Sequence, residues 1–102
     1  MNDPRLLRLH PNDNVVVATR TLAAGERLTF ATTAVSVPVR IAVGHKIAAA
    51  AIAQGAKVIK YGVAIGSATR NIALGDHVHL HNLRSDYLPT YTRGEDQRDG
   101  AR

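Results

Sequence analysis

The sequence predicts a small all-β domain, and two observations carry that expectation: a turn motif that recurs four times, and short β-prone segments lying between its copies. The motif reads Leu22-Ala23-Ala24-Gly25-Glu26-Arg27-Leu28, then Ile41-Ala42-Val43-Gly44-His45-Lys46-Ile47. It returns as Ile52-Ala53-Gln54-Gly55-Ala56-Lys57-Val58 and as Ile72-Ala73-Leu74-Gly75-Asp76-His77-Val78. Each copy has an aliphatic residue, Ala, a variable residue, Gly, two mostly polar positions and a second aliphatic residue. Glycine takes positive φ without a Cβ clash and so suits a tight turn, while the aliphatic flanks anchor both ends in a core. The spacing between copies is irregular, which makes this a recurrent turn rather than a solenoid repeat.

Strands are expected over residues 6–9, 15–19, 27–30, 35–39, 58–61 and 77–81. The run Val35-Ser36-Val37-Pro38-Val39 alternates apolar and small polar residues, as a half-buried strand does. Pro38 cannot donate a ladder hydrogen bond, which places that strand at an edge or a bulge. Residues 46–53 support two readings. Alanines 48–51 favour a helical turn by intrinsic propensity, whereas the flanking glycine turns suit a short extended piece. Ile65-Gly66 reads as a turn following the strand over 58–61. Many short strands with glycine turns make a compact, irregular β-fold. From Tyr87 onward the character changes: Pro89, Gly94 and a polar run offer no apolar residue between Arg93 and Ala101. The expected organisation is therefore a β domain over 1–86 and a flexible tail over 87–102 that either stays mobile or orders only against a partner.

Composition narrows the chemistry. Of 102 residues, 45% are hydrophobic but only 4% aromatic, so the core must come from Val, Ile, Leu and Ala. The absence of cysteine excludes disulfides, thiolate zinc sites and cysteine nucleophiles together. The first residues carry no basic start followed by an apolar run and a small-residue cleavage site. The uncharged stretch 28–39 falls short of the roughly 20 residues a spanning helix needs. These features lead us to expect a cytoplasmic protein with no membrane contact. The net charge of +5 raises nucleic-acid binding, but the arginines are scattered and no basic block is interleaved with aromatics. A small anionic substrate or an acidic partner surface accounts for the charge without nucleic acid.

The sharpest chemical feature is His77-Val78-His79-Leu80-His81. On a strand, successive side chains alternate, so Val78 and Leu80 are expected to face the core. His77, His79 and His81 then share the other face, about 7 Å apart along the strand. Such a face can ligate a metal ion, bind an anion or move protons near neutral pH. The plain structural alternative is a solvated polar face that happens to use histidine. Gly44-His45-Lys46 sets a base and a cation at the mouth of a loop, a pair suited to clamping a carboxylate. Its alternative is an exposed turn. Tyr61 can donate a hydrogen bond to a ligand or simply pack. His10, with Asp13 and Asn14 close behind, is expected in a local hydrogen-bonded turn. No nucleophile motif, phosphate loop or paired-carboxylate set is present, so the chain looks incomplete as a stand-alone enzyme.

Four words occur in order: Asp13-Asn14-Val15, Gly44-His45-Lys46-Ile47-Ala48, Lys60-Tyr61-Gly62-x-x-Ile65-Gly66 and His77-Val78-His79-x-His81-Asn82. Together they resemble the N-terminal domain of altronate and galactarate dehydratases, and the small subunit of sulfolactate sulfo-lyase is similar. These are SAF-type domains with a β-clip fold, and the resemblance covers residues 6–84. It departs from the family at Ala49, where leucine is frequent, and the residues after Arg84 are not diagnostic.

The resemblance implies a small accessory subunit of a two-component lyase that removes water or sulfite from a sugar acid or related hydroxy acid. It implies a large lyase subunit as partner and a divalent metal, iron or manganese, in the assembled enzyme. His45, His79 and His81 are the expected catalytic residues. Lys46, His77, Asn82 and Tyr61 are the expected substrate contacts, and the metal ligands and any homo-oligomer are left open. The competing reading is a non-catalytic β-clip module that binds an anionic carbohydrate. The scarcity of aromatic platforms and the histidine face weigh against it.

Overall fold

The computed structural model describes residues 3–86, and within them every regular element is a β-strand. The order is β1 (Leu6–Leu7), β2 (Val15–Ala18), β3 (Arg27–Phe30), β4 (Thr33–Ser36), β5 (Lys46–Ala48), β6 (Lys57–Lys60), β7 (Val63–Ala68), β8 (His77–Val78) and β9 (Leu83–Arg84). A central antiparallel sheet runs β1-β2-β5-β8, flanked by the hairpin β3-β4 and by a second sheet, β6-β7-β9. The all-β expectation holds. No helix among the described residues is long and apolar enough to cross a membrane. The expected tail lies outside the described residues.

The recurrent motif forms four equivalent β-turns. Gly25, Gly44, Gly55 and Gly75 have φ of 91°, 85°, 86° and 89°. In each, the residue after glycine donates its N–H to the alanine carbonyl three positions back: Glu26 to Ala23, His45 to Ala42, Ala56 to Ala53 and Asp76 to Ala73. That is type II geometry, with the positive φ at the third turn position. The turns also associate in pairs. Leu22 bridges Ile41 beneath the β3-β4 hairpin, and Ile52 bridges Ile72 beneath β6-β7. Two similar halves thus face each other across the central sheet.

Alternation along the central strands divides the core in two. Val16 and Ala18 of β2 and Ile47 of β5 point into a cluster with Leu22, Leu28, Phe30 and Ile41. Val15, Ala48 and Val78 point the other way, onto Ile52, Val58, Ala68 and Ile72. Ile47, Ala48, Val58 and Val78 are completely buried. At about 1.5–3 kcal/mol for each large aliphatic chain buried, these contacts dominate the favourable side of folding.

Several boundaries differ from expectation. The alanine stretch is not helical: Ala48 ends β5 paired with Val15, Ala49 N–H donates to the Asn14 carbonyl, and the chain bends at Ala49 and Ala50. At Ala48, complete burial in the strand overrides alanine's helical preference. The fourth strand begins at Thr33, leaving Pro38 beyond its end. Ile65-Gly66 is not a turn but the middle of β7, with the register shifting between Val58 and Ile59 of its partner β6. The strand expected over 77–81 stops at Val78, because residues 79–82 turn back towards β9. Leu80 is consequently 83% exposed instead of core-facing.

Candidate functional site

The histidines are brought together by pairing of β5 with β8. Ile47 stands opposite His77 and Lys46 opposite Val78. Continuing that antiparallel register puts His45, just before β5, opposite His79, just after β8. All three imidazoles therefore leave the side of the sheet that sends Ile47 into the first core cluster. The Ala18 N–H holds the His45 carbonyl at 3.0 Å, extending the β2-β5 ladder to the site.

The rings meet closely. His45 Nδ1 and His77 Nε2 are 2.9 Å apart, a hydrogen bond whose direction depends on the tautomers. The His45 and His79 centroids are 4.6 Å apart, and those of His77 and His79 5.4 Å, all stacked. One nitrogen from each of His45, His77 and His79 lies within 4.8 Å of the others. His81 joins from the turn as an exposed ring 5.5 Å from His77. The convergence comes from ladder pairing plus a turn, not from three histidines along one strand.

Burial depresses the pKa of both His77 and His79, and the neighbouring imidazoles and Lys46 depress them further. At neutral pH both are therefore uncharged, the form that ligates metals or accepts a proton. Lys46 pairs with Val78 and so leaves the opposite side of the sheet, half-buried, its pKa lowered by burial and then by Lys60. Lys60 was not among the expected site residues. The Lys60-Tyr61-Gly62 word contained it, but nothing in the sequence placed the end of β6 near β5. Among the described residues, neither Lys46 nor Lys60 forms a salt bridge. The site is thus a cluster of imidazoles on one face, with Lys46 on the opposite face of the same strand.

Tyr61 is 64% exposed in the β6-β7 turn, with the Lys60 ammonium 5.6 Å from its ring centroid. The Tyr61 and Gly62 amides donate to the Asp13 carboxylate at 3.0 and 2.7 Å. Asn14 holds the same element, its Oδ1 accepting from Ile59 N–H and its Nδ2 donating to the Lys57 carbonyl. Asp13 N–H does close the expected local turn onto the His10 carbonyl. The Asp13 and Asn14 side chains do more, reaching far along the sequence to fix the hairpin.

Asn82, expected as a substrate contact, is buried. Only 3% of it is exposed. Its Oδ1 accepts from His79 N–H at 2.9 Å, and its Nδ2 donates to the His77 carbonyl at 2.8 Å. Buried and bonded to backbone at both ends, it has no open face for a substrate.

A β-clip-like arrangement of paired glycine turns around a histidine-rich strand pair defines the class. The chain belongs to the altronate/galactarate dehydratase SAF domain family, whose model matches residues 4–86. It is 45% identical over 80 residues to altronate dehydratase of Escherichia coli (strain K12), covering 78% of this chain and 16% of that protein. The altronate dehydratase of Bacillus subtilis (strain 168) is 38% identical over 80 residues, with the same coverage. The (2R)-sulfolactate sulfo-lyase subunit alpha of Chromohalobacter salexigens is 44% identical over 45 residues, 44% of this chain and 48% of that one. This chain thus spans only a small part of the dehydratases it matches.

Proposed function

We propose that this chain is the small accessory component of a two-part cytoplasmic lyase, acting on a sugar acid or related hydroxy acid by β-elimination of water or sulfite. The observation that carries this reading is the convergence of His45, His77 and His79. Two lines of relatedness point the same way: matched relatives are named as dehydratases and as one subunit of a sulfo-lyase. The large partner supplies the remainder of the machinery and covers the histidine face, where Leu80 and Val43 stand exposed beside His79 and His45.

In such an elimination a base takes the proton α to the carboxylate, and the C–H electrons form the new double bond. The leaving group departs from the β-carbon, as water once an acid has protonated it or as sulfite with its bonding pair. His45, His79 and His81 are the side chains placed for proton transfer. His79 is uncharged at neutral pH and can accept a proton at a ring nitrogen. Lys46 and His77 hold the anionic substrate, and Tyr61 offers its hydroxyl from the adjoining hairpin.

The donor set also suits a divalent metal. One nitrogen from each of His45, His77 and His79 lies within 4.8 Å of the others, a set of neutral imidazole donors of the kind such an ion takes. Imidazoles suit iron well, and manganese less so because it favours oxygen donors. His45, His77 and His79 would hold the ion, which would supply Lewis-acid stabilisation of negative charge on the substrate.

Reconstitution tests the reading. This chain, a large lyase chain and their complex are assayed against aldonic, aldaric and sulfonated hydroxy acids for 2-oxo acid formation. Turnover is expected only from the complex. Full activity of the large chain alone, or binding of an acidic carbohydrate with no turnover by any complex, overturns it.

A further inference from the structure

We infer that Asn82 is a positioning residue of the histidine site: its side-chain amide, closed on the His77 carbonyl and the His79 N–H, fixes where the His79 imidazole stands. The inference deepens the lyase reading by adding a residue that acts through His79.

The need for such a residue follows from where β8 ends. His77 is held by its pairing with Ile47 of β5, but the β5-β8 ladder stops at Val78. His79 therefore lies outside the named strands, and its ring must be aimed by the turn that follows. Its backbone is tied from one side only. His79 carbonyl accepts from Asn82 N–H at 3.1 Å and from Leu83 N–H at 2.9 Å, while its own N–H goes to Asn82 Oδ1 at 2.9 Å. The same amide reaches back with Nδ2 to the His77 carbonyl at 2.8 Å. One planar group thus spans the two histidines and fixes the backbone between them.

Burial makes this clamp firm. With 3% of Asn82 exposed, water cannot readily replace a lost bond, and a buried polar group left unpaired is costly. His45 does not depend on the clamp, because the Ala18–His45 hydrogen bond and the β2-β5 pairing hold it. Removing the Asn82 amide should therefore displace His79 selectively and leave the His45–His77 contact in place. An Asn82 with a merely structural role would lower stability without that selectivity.

The Asp substitution separates the two bonds. Asn82→Ala loses both. Asn82→Asp keeps an acceptor for His79 N–H but loses the donor to the His77 carbonyl.

The test is side-chain NMR of the full chain, following the ring signals of His45, His77, His79 and His81 in the wild type, Asn82→Ala and Asn82→Asp. The expected result is loss of the ring-to-ring contacts of His79 with His45 and His77 in Asn82→Ala, with the His45–His77 contact retained. Asn82→Asp should restore part of the His79 contacts. Cobalt(II) titration adds a second readout, with affinity expected to fall about 10- to 100-fold in Asn82→Ala, the scale for losing a group that orients a ligand. Should Asn82→Ala not fold, Asn82→Asp decides the matter by its His79 contacts. Unchanged His79 contacts in a folded variant, or equal loss at all four rings, overturn the inference. Turnover of the assembled lyase is read separately. A displaced His79 ring with unchanged turnover leaves the positioning role intact and defeats the assignment of His79 to proton transfer.

Discussion

His45 Nδ1 and His77 Nε2 approach to 2.9 Å across the β5-β8 pair, although 31 residues separate them in sequence. One imidazole donates to the other there, and these nitrogens are among those that would hold a divalent metal. Divalent metal should therefore bind this chain at the expense of the His45–His77 hydrogen bond. His45→Ala, His77→Ala and His79→Ala should each weaken binding of cobalt(II) at least tenfold, while His81→Ala should have a smaller effect. Visible absorption during titration of the purified chain checks this. Equal effects of all four substitutions would mean that the ligand set is not the one the geometry brings together.

The turn glycines separate strain from crowding. Gly44 has φ of 85°, and a Cβ added there meets nothing within 4 Å. Gly75 has φ of 89°, but its added Cβ would lie 2.5 Å from Val35 Cγ2. Left-handed backbone costs an L-residue about 1–2 kcal/mol, so Gly44→Ala should lose about that much stability. Gly75→Ala should lose more, because Val35 must also move. Urea unfolding of the two variants, compared at constant m-value, measures the difference.

Much of this fold was legible in the sequence, for a reason the turns make plain. Alanine and glycine at fixed positions between buried aliphatics describe a local geometry, and local geometry needs no knowledge of the rest of the chain. Strand 27–30 was legible for the same reason, since it leaves one such turn directly. Harder to read were features set by distant partners. Nothing near Asp13 in sequence says that its carboxylate will hold the Tyr61 and Gly62 amides. Nothing before β9 announces that His79 to Asn82 must turn, which is why Leu80 was expected in the core. The histidines grouped from the sequence do stand close together. Their alternation was a weaker guide than their proximity, which came from the register of β5 against β8.

Acid should loosen the first turn. Hydrogen bonding to Arg20 is the chief cause that lowers the Glu26 pKa from 4.5 to about 2, and the Ala23 N–H adds to it. Arg5 completes the network, bonding to Glu26 at 3.2 Å and to Asp3 at 2.7 Å, and holds the Asp3 carboxyl well below the usual range. A carboxyl whose pKa is lowered on folding binds fewer protons in the folded state. Its stabilisation is therefore full above pH 4.5 and is lost as pH falls towards about 2. The thermal midpoint should fall across that window. Glu26→Gln should flatten the fall by removing one of the titrating groups. A fall of the same size in the variant would assign the acid sensitivity to Asp3 or to groups elsewhere.

The histidines should prove separable from one another in the assembled enzyme. His79 is packed against His45 at 4.6 Å between centroids and is clamped through Asn82, so its ring is fixed for a particular task. His81 is exposed, and its closest ring neighbour, His77, lies 5.5 Å away at a 41° tilt. Loss of general acid–base help lowers turnover by about 10² or more. His79→Ala should cost the complex about that factor in kcat, with folding and partner binding retained because the ring lies outside both core clusters. His81→Ala should cost less and act mainly on KM, since a ring at the mouth contributes to holding an anion before it contributes to chemistry. Steady-state kinetics of the reconstituted complex, with complex formation checked by size-exclusion chromatography, distinguish these outcomes. Unchanged turnover in both variants and in the triple His77/His79/His81 alanine variant would make this a solvated histidine face rather than part of an active cleft.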